Sequence, residues 1–105
     1  MYYRYWLHQT NRPAHFGIRN ERYKLIFFYG QHLSMPGAHR ENTVPAWEFY
    51  DLKEDPFENT NAYHDPGYSE VINAMKNELV DQKMLAGDTD DKFPGLRSIL
   101  KANGF

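Results

Sequence analysis

One stretch of the chain constrains its fold more than any other: Leu25-Ile26-Phe27-Phe28-Tyr29, entered through Tyr23-Lys24. Successive residues of a strand point to opposite faces, so a half-buried strand alternates apolar and polar side chains. This run does not alternate, and it predicts a central strand over 23–29 that needs cover on both faces. The stretches around it read as its neighbours. Tyr2 to His8 is aromatic-rich and ends at Gln9-Thr10-Asn11-Arg12-Pro13. His15-Phe16-Gly17-Ile18-Arg19 alternates as a half-buried strand should. Trp47 to Leu52 gives a fourth strand, stopped by the turn signal Asp55-Pro56. Asn20-Glu21-Arg22 is read as a hairpin turn, asparagine being a residue that tolerates the left-handed conformation. Gly30 to Pro45 shows little periodicity and is read as a long loop.

The second half changes period. Asp65-Pro66 offers an N-cap with proline at the first helical position. Ile72, Met75 and Leu79 then recur at helical spacing, with Val71 alongside, while Glu70, Asn73, Lys76, Asn77 and Asp81 fall elsewhere on the wheel. Gly87 is placed to end this helix. Asp88-Thr89-Asp90-Asp91 reads as solvated linker, and a short tail helix is expected over about 95–102. The expectation is a single α+β domain spanning 1–105: an antiparallel sheet of about four strands over about 2–52, packed on one main helix over about 66–86. One helix covers one face only. The central strand therefore predicts a missing partner surface.

Composition narrows the function. The 105 residues fit one compact domain, with no room for a catalytic domain plus a second module, and a mean hydropathy of −0.79 argues against a large self-sufficient core. Aromatic residues make up 16%, which lets few side chains carry a small core. With 12 basic and 14 acidic residues mixed along the chain, no footprint for nucleic acid or an anionic membrane surface emerges. No apolar run is long enough to span a membrane. Met1 to Leu7 is interrupted by Arg4 and followed by no small-residue cleavage site, so it does not read as a signal peptide. Cysteine is absent, which excludes disulfides, thiolate nucleophiles and thiolate zinc sites.

Catalytic constellations are equally scarce. There is no glycine-rich phosphate loop, and Ser34, Ser69 and Ser98 do not sit in a nucleophile elbow. Among the five histidines (His8, His15, His32, His39, His64) no pair has the three- or four-residue spacing of a helical metal site, so no metal ligands are assigned. Glu48, Asp51, Glu54 and Asp55 read as a solvated edge and a cap rather than an acid–base pair. Tyr23 and Ile26 are expected in the core, and Arg22 and Lys24 as solvated charges.

Two segments carry a resemblance. Ala14-His15-Phe16-Gly17-Ile18-Arg19-Asn20-Glu21-Arg22-Tyr23-Lys24-Leu25-Ile26 resembles the strand–turn–strand that follows the catalytic domain in many sulfatases of the arylsulfatase and N-sulfoglucosamine sulfohydrolase type. Trp47 through Asn61 is similar to the same family's Tyr-Asp-Leu, Asp-Pro, Glu-x-x-Asn segment, here Tyr50-Asp51-Leu52, Asp55-Pro56 and Glu58-Asn59-Thr60-Asn61. Order, spacing and the following helix agree, so the resemblance covers most of the chain. It departs at Asn20, where threonine is common, and after Gly87.

The resemblance implies a non-catalytic role: completing the fold of a sulfatase and walling its pocket for a sulfated sugar or aryl sulfate. Sulfatase chemistry needs a formylglycine matured from Cys/Ser-x-Pro-x-Arg and a carboxylate-bound calcium, and this chain has neither the motif nor the aspartate cluster. Catalytic residues are therefore none, and calcium is expected in the catalytic domain of a parent enzyme, itself periplasmic, secreted or lysosomal. The resemblance places the strand of His15 and Arg19 beside the cleft mouth, making both candidates for substrate contact. Partners implied are a sulfatase catalytic domain or, failing that, self-association. A free-standing carbohydrate-binding module, stacking sugars on Tyr2, Tyr3, Tyr5 and Trp6, is the alternative.

Overall fold

The unbroken apolar run does become a central strand. In the computed structural model, which describes residues 2–5, 14–30, 44–87 and 94–104, four strands form one sheet: β1 (Tyr2–Tyr5), β2 (His15–Arg19), β3 (Tyr23–Phe28) and β4 (Ala46–Asp51). Their spatial order is β1-β2-β3-β4 and every pairing is antiparallel. A 3-10 turn (Pro66–Tyr68) leads into the main helix α1 (Ser69–Leu85), and α2 (Pro94–Ala102) follows. The architecture is α+β, a sheet backed by helices.

Register sorts the side chains into two faces. Phe16 pairs with Phe27, and Leu25 with Phe49, so these rings share one face with Ile18 and Trp47. They are buried there with Ile72, Met75 and Leu79 of α1 and Leu96 and Leu100 of α2 in a single core cluster. Residues 72, 75 and 79 are one, two and three turns along one helical stripe, which is why the 3.6 period was readable. Lys83 extends that stripe although it is charged: it is 7% exposed, with its ammonium 5.1 Å from the centre of the Phe16 ring. A long aliphatic stem packs as a hydrophobe while the cation rests on an aromatic face.

The opposite face carries Tyr3, His15, Gly17 and Arg19, followed across the sheet by Ile26 and Phe28 and then Glu48 and Tyr50. Among the described residues no helix packs on it. Ile26 is only 5% exposed yet stands outside the core cluster, so the lack of alternation in 23–29 does reflect apolar residues on both faces. Gly17 has a specific cause here. A Cβ at this position would meet the Leu25 carbonyl oxygen at 2.6 Å and the Tyr3 hydroxyl at 2.9 Å. The ring of Tyr3, paired across the strands with Gly17, fills the place of its missing side chain.

Several boundaries differ from the sequence expectation. The hairpin at Asn20 does not use a left-handed asparagine: Glu58 is the one positive-φ residue other than glycine among the described residues. Asn20 instead accepts, through Oδ1, the backbone N–H groups of Arg22 (2.9 Å) and Tyr23 (2.7 Å). Its side chain closes the turn with no backbone inversion. Asp65 caps the 3-10 turn, accepting from the Gly67 N–H at 2.9 Å, and α1 begins four residues beyond the cap. Gly87, at φ 74, ends the helix in the left-handed conformation expected of it. The end of the first predicted strand, the loop expected from Gly30 to Pro45 and the linker at 88–91 lie largely outside the described residues.

Candidate functional site

Two groups of residues stand out, one at the edge of the helix-covered face and one on the open face. The first is centred on Asp51. Its carboxylate takes a fork from Arg22, with Nε donating to Oδ1 at 3.2 Å and Nη2 to Oδ2 at 3.1 Å. Tyr68 donates its hydroxyl to Oδ2 at 2.8 Å, and the Lys53 N–H reaches Oδ1 at 3.2 Å. Asp51 is 3% exposed, so it is no solvated edge carboxylate, and Arg22 is not a free surface charge. The hydrogen bonds from Arg22 hold the Asp51 pKa down, to about 2. Those to Asp51 push the Tyr68 hydroxyl up, to about 12. Every acceptor direction of Asp51 is taken, and the group ties the β2–β3 turn to β4 and the entry to α1.

The rest of the motif is also structural. Asp55 accepts the backbone N–H groups of Asn59 and Thr60 at 3.0 and 2.9 Å. Asn61 extends the sheet edge: its Oδ1 accepts from the Phe49 and Tyr63 N–H groups at 2.9 and 3.1 Å, while its Nδ2 donates to the Trp47 carbonyl at 3.1 Å. Trp47 stacks flat on Tyr63, and the Lys76 ammonium lies 4.6 Å from the Trp47 ring centre and donates to the Tyr63 hydroxyl at 2.6 Å. The indole N–H donates to the Asn103 carbonyl at 2.9 Å, which pins the end of α2 to β4. No sequence signal pointed to that last contact, because it joins residues 56 positions apart.

The second group lies on the open face. His15 and Arg19 share it, with Gly17 between them, four residue steps along the strand or about 13 Å apart. His15 is half-buried against Phe28, ring centres 4.8 Å apart, and lies edge-on to Tyr3; Arg19 is exposed. Lys24 is not solvated as expected but pairs with Glu58 at 2.8 Å. Tyr50 donates its hydroxyl to Glu48, and burial together with that bond pushes its pKa up. Tyr3 bears on the alternative, a carbohydrate-binding module stacking sugars on a row of exposed rings. It faces the opposite way from Tyr2, which packs on Phe16 with ring centres 6.3 Å apart. Burial pushes the Tyr3 hydroxyl up to about 12. A common stacking platform is not formed by these two neighbours, whose side chains a strand must send to opposite faces. The side chain of Tyr5, and Trp6, lie outside the described residues.

Of the histidines, His8, His32 and His39 fall outside the described residues. Among the described residues no group of three or more His, Asp or Glu side chains is placed to hold a metal ion, and no helix is long and apolar enough to cross a membrane.

A four-stranded antiparallel sheet backed by one main helix, locked through Asp51, Asp55 and Asn61, is the α+β unit of a sulfatase C-terminal region. The chain belongs to the family described as N-sulphoglucosamine sulphohydrolase, C-terminal, whose profile matches residues 1–84. It is 29% identical over 91 residues to an N-acetylglucosamine-6-O-sulfatase of Bacteroides thetaiotaomicron, a match that covers 85% of this chain and 14% of that enzyme. A solved structure of BT4656 in complex with its substrate D-glucosamine-2-N,6-O-disulfate superposes with a TM-score of 0.67 at 28% identity, covering 86% of this chain and 16% of that one. The chain thus spans about one-seventh of the length of these relatives. The family match ends at residue 84, so α2 lies beyond it.

Proposed function

We propose that residues 1–105 act as one non-catalytic unit that completes a sulfatase and walls one side of its pocket for a sulfated sugar. The observation that carries this reading is the family match over residues 1–84, together with a sequence that holds no cysteine and no serine in a Ser-x-Pro-x-Arg setting. Both relatives described above have names or substrates that are sulfated glucosamines, which favours a sulfated sugar over an aryl sulfate. In this reading calcium and the nucleophile belong to the catalytic domain, and this chain supplies neither.

His15 and Arg19 are the proposed substrate contacts. Imidazole donates to or accepts from a sugar hydroxyl, and guanidinium forks onto sulfate or carboxylate. Separated by about 13 Å along β2, they touch different parts of the substrate rather than one sulfate group. The test is His15→Ala in the polypeptide that joins this unit to its catalytic domain, with melting temperature and kcat/KM measured on the same protein. Loss of one hydrogen bond, about 0.5–1.5 kcal/mol, corresponds to a roughly 2- to 13-fold drop in kcat/KM with the fold intact. A large loss of stability with unchanged kinetics assigns His15 to packing and removes it from the pocket.

A further inference from the structure

The loop after β4 is built more firmly than a connection of its length requires. Asp55 gathers the N–H groups of Asn59 and Thr60 with its two carboxylate oxygens, and its own carbonyl accepts from the Glu58 N–H at 3.1 Å. Glu58 sits at φ 55, a conformation that side-chain-bearing residues keep only when their surroundings over-determine it. Its carboxylate is tied to Lys24 of β3 at 2.8 Å, which fastens the loop to the open face of the sheet. Between these fastenings stands Phe57, 83% exposed. An aromatic ring on a backbone already held in place loses little freedom when it is buried, and such rings make interface anchors.

The neighbouring face fits the same role. Lys24 is paired with Glu58, Glu48 accepts the Tyr50 hydroxyl, and Arg19 stands exposed beside Lys24. The Tyr3 hydroxyl is shielded from water and finds no hydrogen-bond partner among the described residues. What remains is apolar area around Ile26 and Phe28, the Tyr3 hydroxyl, and the half-buried His15 and exposed Arg19 of β2. The relatives in which this unit occurs have about six-sevenths of their length outside it, so a partner surface is present in the same polypeptide.

We infer that Phe57 is the anchor of the contact between this unit and a sulfatase catalytic domain, seated in an apolar socket on that domain. The inference rests on the accessory role proposed above and adds which surface docks. It is tested in the Bacteroides thetaiotaomicron N-acetylglucosamine-6-O-sulfatase with its matching segment replaced by this chain. Hydroxyl-radical labelling of Phe57, read by mass spectrometry, is compared between the 105-residue chain alone and the graft. Labelling falls at least about fivefold in the graft, as desolvation of an anchor requires. Phe57→Asp leaves the melting temperature of the isolated chain unchanged but accelerates proteolysis at the junction of the graft, and Phe57→Tyr restores resistance. Equal labelling of Phe57 in an active graft overturns the anchor while leaving the accessory role standing. An inactive graft, beside an active enzyme carrying its own segment, overturns the accessory role itself. Protection that appears in the isolated chain as its concentration rises assigns Phe57 to a second copy, and also overturns the proposal.

Discussion

The two faces of the sheet are made from the same strands and differ in almost everything else. On the helix-covered face, Phe16, Leu25, Phe27 and Phe49 are each 0% exposed and meet Leu79 and Leu96 in one cluster. Even its charged members, Asp51 and Lys83, are placed against Arg22 with Tyr68 and against Phe16. On the open face a glycine interrupts β2, an isoleucine is buried without joining the core, and His15 and Arg19 stand on either side of Tyr3. The difference teaches a division of labour. One face closes the fold, and on the other, among the described residues, no helix covers the chemically varied side chains.

Substitutions on the two faces break or sharpen that contrast. The largest effect is expected from Phe49→Ala, which empties the centre of the covered face and costs about 3–5 kcal/mol of unfolding free energy. Denaturant titration measures it, and a loss below about 1 kcal/mol would place the core elsewhere.

Asp51→Ala comes next. Arg22, 44% exposed, regains water when the carboxylate is lost, so the cost stays below the 3–5 kcal/mol typical of a fully buried pair, at about 2 kcal/mol. The same group sets an acid limit. Its pKa is lowered from 3.8 to about 2, so its contribution is complete above the ordinary value and is lost as pH falls through the folded one. Wild-type stability therefore drops between about pH 4 and pH 2, and Asp51→Ala flattens that part of the curve. An unchanged acid profile in the variant would remove Asp51 from this role.

Asn61→Ala follows, at about 1–2 kcal/mol, since two N–H groups and one carbonyl lose their partner at an edge that water reaches in part. Smallest is Arg19→Ala on the open face, expected within about 0.5 kcal/mol of wild type. A destabilisation like that of Phe49→Ala would erase the contrast between the faces.

What could be read from the sequence follows the same line. Periodicity reports burial, so the stripe Ile72, Met75 and Leu79 and the unbroken run in β3 announced the helix and the central strand. Local signals at Asp65-Pro66 and Gly87 located the ends of the helical segment, because caps act within a few residues. Non-local pairings were opaque. Nothing in the sequence around Arg22 says that Asp51, 29 residues on, will bind it, nor that Lys24 will meet Glu58. Lys83 broke the hydrophobic pattern because a charged side chain, its ammonium over the Phe16 ring, extends the buried stripe. Tyr3 and Gly17 are legible only as a pair, since each explains the other across two strands. His15 and Arg19 were marked by resemblance, and the fold adds that both stand on the face the helices leave open.

The central claim, that this chain serves a sulfatase without being one, is tested most directly by turnover. The purified 105-residue chain is incubated with an aryl sulfate and with D-glucosamine-2-N,6-O-disulfate, each with and without added calcium. With no residue able to mature to formylglycine, the account predicts no sulfate release above the buffer control under any of the four conditions. Release that scales with protein concentration and survives repurification would contradict it.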